Sequence, residues 1–324
     1  MGIQIGKVSP GQVRVAMLSA LFVACWSSGF IGAKLGAADA PITTVLMWRF
    51  VPLAAVLVPL AHRFHRDRRI PGLGHRILLR HIVIGVLSQT GYLTTVYWAI
   101  ARGVNTGTTA LIDGLQPLAA AALVGPLLGV AVTGRQWAGL GLGVCGVVLV
   151  TASDAANASG VPWWAYLIPL IGMLSLIAAT LVERRTPDRI PPPTSLTIQC
   201  CTSAAIFTGA ALLTGTATPP AAGTFWLALA WLILLSTLGG YGLYWYLVAK
   251  LGVTQVNALM FLMAPVTAVW GALLFGESFT GVTAAGLAIG IAAVITVNYS
   301  GSKSPAAERS AATGTGSVEV AACR

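Results

Sequence analysis

A chain of 324 residues with 56% apolar and 9% charged side chains is excluded as a water-soluble domain, because such domains carry about a quarter of their residues as charge. A net charge of +10 would suit nucleic acid if the basic residues formed one exposed face. They are instead dispersed in short loops beside apolar stretches, so the expected counterpart is the head groups of a lipid bilayer and no nucleic acid is expected as a partner.

Ten apolar stretches follow one another, near residues 15–36, 42–61, 82–101, 105–129, 136–152, 162–182, 195–214, 224–248, 254–275 and 280–299. Each approaches the roughly twenty residues that carry a helix across the hydrocarbon, and helix is the structure that satisfies its own backbone there. The first stretch ends near Ala38 and Ala40 in a pattern resembling a cleavage site. It is nearly full bilayer length, however, and nothing after it reads as a secreted domain, so it is counted as a span. Cys25, Cys145, Cys200 and Cys201 lie inside these stretches without metal-ligand spacing. They read as packing residues, and no metal or cofactor is expected.

All Lys and Arg except Lys34, Arg49 and Arg102 fall before the first stretch, after the second, fourth, sixth and eighth, or in the C-terminal tail. The alternate loops carry only Asp39, Asp154 and Glu277 as charges. By the positive-inside rule the basic side is cytoplasmic, and both termini are expected there. The chain also repeats itself. Tyr97-Trp98 precedes Ala110-Leu111 and Pro117, while Tyr244-Trp245 precedes Ala258-Leu259 and Pro265. Each passage runs from the third into the fourth helix of a five-helix half. Five is odd, so the second copy enters the membrane from the opposite side, an arrangement used by secondary transporters with a midplane site between the halves. The expected organisation is a cytoplasmic N-terminus over 1–14, repeats over 15–152 and 162–299, and a disordered cytoplasmic tail over 300–324.

These landmarks resemble the drug/metabolite transporter superfamily, in particular EamA-type permeases of two five-helix units. The resemblance runs through Trp26-Ser-Ser-Gly29-Phe-Ile-Gly-Ala-Lys34, Pro41, Arg49-Phe50, the Ala99 to Pro117 passage, Leu128-Gly129 and Arg135-Gln136-Trp137-Ala-Gly139. In the second unit it runs through Ala258-Leu259, Pro265 and Phe275-Gly276-Glu277 to Gly286. Where such units often carry Gly-Glu, the first unit here has Gly129-Val130, and the second keeps Glu277. The resemblance implies an all-α, ten-span inner-membrane permease of small metabolites, often acting outward, on amino acids, nucleotide-related solutes, sugars or drugs.

Polar groups inside the spans mark the expected site. Asp113 sits about 12 Å below the surface at about 1.5 Å per residue, where a charge costs about 2.5–3.5 kcal/mol. Asn105, Thr109, Asp113 and Gln116 form one helical stripe beside Pro117, like the wall of a wet cavity, and Asn257 is its thinner counterpart in the ninth span. Asp113 reads as a coupling carboxylate or as helix glue. Arg49 reaches similar depth, either as a clamp for a substrate anion or as a standing counter-ion of Asp113. Lys34 shares a face with Trp26 and Phe30 and is open to a cavity role or to snorkelling. Tyr92, Tyr241 and Tyr244 are deep hydroxyls that a substrate could satisfy, with Gln89 and Thr237 as lesser candidates. Tyr97, Trp98 and Tyr246 read as interfacial anchors.

Other motifs are weaker. Gly141-Leu-Gly143-Val-Cys-Gly146 fits a dinucleotide fingerprint but follows no strand. Gly139/Gly143 and Gly286/Gly290 instead suit close helix packing, within a monomer or across a homodimer. His62 and Asp67 have the spacing of a base and its orienting acid in some acyltransferases, which supplies a rival reading as a membrane-embedded acyl- or lipid-modifying enzyme, though a solvated basic loop explains them as well. A scaffold or sensor without transport is a third reading. The four His lie between 62 and 81, none deep in the bilayer, and the Asn157 sequon reads as incidental. The reading preferred here is a permease, not an enzyme, that moves a small-molecule substrate by alternating access, with a cavity between the third, fourth, eighth and ninth helices.

Overall fold

A computed structural model describes residues 10–68, 74–127, 133–158, 160–185 and 190–298. The proposed tail over 300–324 lies outside the described residues. Within them the regular structure is helical: α1 (Pro10–Asp39), α2 (Ile42–Arg68), α3 (His75–Gly85), α4 (Tyr92–Ala101), α5 (Thr106–Gly114), α6 (Gln116–Leu127), α7 (Gly134–Asn157), α8 (Ile168–Arg184), α9 (Pro192–Leu213), α10 (Gly223–Trp231), α11 (Gly240–Leu251), α12 (Val253–Met260), α13 (Met263–Phe275) and α14 (Gly281–Asn298). Seven continuous stretches are long and apolar enough to cross a membrane, and Met263–Phe275 and Gly281–Ala293 are shorter apolar helices.

Four of the expected spans are not plain helices. The third runs from His75 and contains a π-helical turn, Val86–Gly91, between α3 and α4. The eighth contains the matching π-helical stretch, Leu232–Gly239, between α10 and α11. Widening the hydrogen-bond ladder leaves a carbonyl without its usual partner, and side chains supply one. Ser175 of α8 donates to the Leu87 carbonyl at 2.7 Å, and Thr237 donates to the Leu232 carbonyl at 3.0 Å. The fourth and ninth are broken, α5 from α6 at Leu115 and α12 from α13 at Phe261-Leu262. Pro117 and Pro265 sit in the first turns of α6 and α13. There the missing N–H does no harm, while the ring prevents a continuous helix through the carbonyl four residues back.

The two halves interleave. α7 packs along α14, α2 along α9, α4 along α8, α1 along the second π stretch, and α5 along α13. Phe50 and Phe207 stack between α2 and α9 with ring centroids 5.9 Å apart. The α7–α14 seam depends on glycine. A Cβ on Gly146 would lie 2.7 Å from the Gly286 carbonyl oxygen, and one on Gly143 would lie 2.5 Å from Leu115. The small-residue stripe is therefore filled within the chain. Gly141, on the same helix, faces open space.

Overpacking a seam typically costs about 1–3 kcal/mol, so Gly146→Val is expected to lower the melting temperature in detergent by several degrees. Gly141→Ala is expected to leave it unchanged or slightly raised, which thermal unfolding of the two purified variants will check.

Candidate functional site

A cavity of about 220 Å³ lies between the halves. Its walls come from the third, fourth, eighth and ninth spans, as anticipated, and also from α1, α2, α8 and α9, which supply Trp26, Arg49, Thr180, Glu183, Gln199 and Cys200. Both π stretches face it, the first through Ser88 and Gln89 and the second through Ser236 and Thr237. Both helix breaks border it, through Gly114, Gln116, Met260 and Met263.

Arg49 is 5% exposed. Its Nη1 donates to the Tyr97 hydroxyl at 2.7 Å and its Nη2 to Thr237 Oγ1 at 3.0 Å, while its buried Nε has no partner. Asp113, at the end of α5, accepts the Tyr92 hydroxyl on Oδ2 at 2.6 Å, and its buried Oδ1 has no partner. The counter-ion pairing weighed for these two charges is not formed: each is held by neutral hydroxyls. A buried charge is costly until its hydrogen-bonding positions are filled. One cation and one carboxylate, each with one buried atom unpartnered, thus line the same cavity.

Of the other expected site residues, Trp26, Tyr92, Gln116 and Tyr241 line the cavity. Tyr244 packs behind Trp26, with centroids 6.0 Å apart, and is not on the wall. Asn257 lies in α12, and its side chain falls outside the described residues, as does that of Asp67; His62 is exposed. Lys34 is not a cavity residue. Its Nζ lies 2.6 Å from Glu277 Oε1, because the turn at Gly276, in the left-handed region at φ 65°, brings Glu277 back over α13.

Further residues were misjudged or passed over in the sequence. Tyr97, taken for an interfacial anchor, is 1% exposed and receives Arg49. Ser88 and Gln199 were not singled out. The signal that picked Asp113, a polar group within an apolar stretch, would have found both.

The cavity runs from Arg49 and Asp113 toward Glu183, in the last turn of α8. The opposite end is closed by polar contacts. Glu277 accepts the Thr106 backbone N–H at 3.0 and 3.1 Å and the Thr106 hydroxyl at 2.8 Å. Asp154 accepts the Asn105 N–H at 3.1 Å and the Thr108 hydroxyl at 2.7 Å. Two carboxylates therefore cap the electropositive start of α5. Thr43 meets Thr216 at 2.9 Å, Ser153 meets Thr280 at 2.8 Å and Thr224 meets Asp39, all at the same end.

Comparison with known proteins gives a consistent answer. The model of the EamA-like transporter family matches twice, over residues 14–152 and 163–299. The chain is 26% identical, over 86% of its length and 89% of the relative's, to the uncharacterized inner membrane transporter YedA of Escherichia coli (strain K12). It is 25% identical, over 86% and 91%, to a probable terminal-alkyne amino-acid exporter of Streptantibioticus cattleyicolor. It is 24% identical, over 82% and 88%, to a probable amino-acid metabolite efflux pump of Escherichia coli (strain K12). A crystal structure with 20% identity shares the fold, with a TM-score of 0.60 over 91% of this chain and 99% of its own.

Glu277 is 5% exposed and Lys34 29%, so removing the lysine strands a nearly dry carboxylate at a cost of about 2 kcal/mol or more. Lys34→Met is expected to destabilise the protein more than the double variant Lys34→Met/Glu277→Gln does, as read from thermal unfolding.

Proposed function

The chain belongs to the EamA-like transporter family, and on that premise we propose that it is a secondary transporter of small zwitterionic metabolites, amino acids or their close derivatives, working outward across the inner membrane. The observation that carries this reading is the pair Arg49 and Asp113, each buried in one cavity with an unfilled hydrogen-bonding atom. A carboxylate on the solute fits Arg49, and an ammonium group fits Asp113. The amino-acid class comes from the names of the two relatives that are probable amino-acid exporters or efflux pumps.

Counting the broken pairs α5/α6 and α12/α13 as one span each, and α14 as another, brings the seven long stretches to ten. With two inverted halves of five spans, the basic loops support a reading in which both termini, and the end of the cavity beside Glu183, are cytoplasmic. The conformation is inward-facing, and the contacts around Glu277 form the closed outer gate. Alternating access exchanges which end is closed. Asp113 alternates between the solute's ammonium group and a proton, so that an ion gradient drives the cycle. The rival enzyme reading is not favoured: His62 is exposed and does not line the cavity, and the relatives are named as transporters, exporters and efflux pumps.

Uptake of a panel of radiolabelled L-amino acids into inside-out vesicles tests the proposal. Losing a charge-assisted hydrogen bond is worth about 1.5–3 kcal/mol, so Arg49→Gln is expected to raise KM for the transported solute by roughly tenfold or more. Asp113→Asn is expected to abolish the response of uptake to an imposed proton gradient. Normal flux with an unaltered gradient response in Asp113→Asn would remove that residue from coupling, and an unchanged KM in Arg49→Gln would remove the clamp.

A further inference from the structure

Beside the charged pair, one cavity wall is lined by neutral amides and hydroxyls that the transport cycle above does not use. Gln89, in the first π turn, and Gln199, on α9, both face the cavity and are linked Nε2 to Oε1 at 3.4 Å. Ser203 donates to Gln89 Oε1 at 3.3 Å, and Gln199 Nε2 donates to Ser195 Oγ at 2.9 Å. Ser195 Oγ lies 3.0 Å from His81 Nδ1. The helices carrying the row are pressed together at Gly85, where a Cβ would sit 2.9 Å from the Gln199 Cα.

The row has a direction. Ser195 Oγ accepts from Gln199, and its single proton goes to His81 in the tautomer that carries the imidazole lone pair on Nδ1. Each oxygen in the row is then occupied, and each amide nitrogen spends one of its two protons along the row. The second proton of Gln199 is left over, the Gln89 side chain is also within hydrogen-bonding reach of Tyr241 and Cys200, and both glutamines line the cavity. Ser88, the neighbour of Gln89, adds a buried hydroxyl without a partner, also on the cavity wall. His81, in the second half of α3, is 4% exposed. A buried imidazole at the far end of a hydrogen-bonded row sets which way the amides point without touching the solute.

We propose that Ser88, Gln89 and Gln199 form a subsite for a neutral, hydrogen-bond-accepting side chain of the solute, and that His81, acting through Ser195, is the positioning residue that fixes the subsite's polarity. The inference rests on the transport reading above and adds which side chains the same cavity prefers. Hydroxyl and carboxamide side chains fit these donors, while an alkyl chain of equal size leaves them unpaired.

Kinetics of uptake into proteoliposomes for L-homoserine and L-norvaline, which differ only in a terminal hydroxyl against a methyl, test this directly. Wild type is expected to show a KM for L-homoserine lower by roughly three- to tenfold, the worth of one neutral hydrogen bond. Gln199→Leu is expected to erase that preference. His81→Leu and, as a second variant that spares the imidazole, Ser195→Ala are expected to raise the L-homoserine KM severalfold while Vmax and the L-norvaline KM stay near wild type. His81→Asn, whose Oδ1 can stand where Nδ1 was, is expected to restore the preference. Equal KM values in wild type, an unchanged preference in both His81→Leu and Ser195→Ala, or a His81→Asn variant indistinguishable from His81→Leu would overturn the inference while leaving transport standing. Uptake of neither probe by wild type would contradict the amino-acid reading itself.

Discussion

One nearly dry carboxylate holds the closed end of this protein together. Glu277 bonds at once to the first turn of α5 and to Lys34 of α1, and it is delivered there by the turn that ends α13. A carboxylate with so little contact with water persists only where fixed donors and a counter-charge replace its hydration. Both are present, and together they pin three helices from both halves of the chain. In the first repeat the position matching Gly276-Glu277 is Gly129-Val130, which has no carboxylate to make the mirror-image contact. The two repeats therefore differ in sequence at this position, and the cavity extends toward Glu183, away from Glu277.

The interior follows the same physical logic. Proline breaks and π turns disturb the backbone at matching places in each half, and the freed polar groups are taken up by side chains that also serve the cavity. Thr237 is the clearest case: its hydroxyl donates to the Leu232 carbonyl and accepts from Arg49. Irregular backbone is tolerated at membrane depth only where protein or a wet cavity surrounds it. Among the buried atoms left without a partner after this internal pairing, those on Arg49, Asp113 and Ser88 belong to residues that line the cavity.

Much of this was legible in the sequence, and the failures have a common cause. The duplicated Tyr-Trp and Pro landmarks gave the halves, and the cost of burying charge singled out Arg49 and Asp113. Depth along a helix, however, fixes height and not direction. Arg49 and Asp113 share a level, so pairing was a fair expectation, yet their side chains reach Tyr97, Thr237 and Tyr92 instead. Lys34 shares a helical face with Trp26, but its partner lies 243 residues away, a distance that no local pattern spans. The π turns leave no spacing signature in a single chain. Tyr97 was hidden by its neighbour: Trp98 is 41% exposed and Tyr97 1%, and one residue of rotation separates an exposed ring from a buried partner of Arg49.

The most direct test of a cavity open at one end and pinned shut at the other is the accessibility of its wall from each side. Ser236 lines the cavity and is partly exposed, so Ser236→Cys is placed in a chain whose five native cysteines are changed to alanine. A membrane-impermeant maleimide would then be applied to right-side-out and to inside-out vesicles. The account predicts several-fold faster labelling at position 236 from the cytoplasmic face, and a marked gain in labelling from the outer face when Glu277 is changed to Gln. Equal or faster labelling from the outer face in the unaltered gate would contradict it.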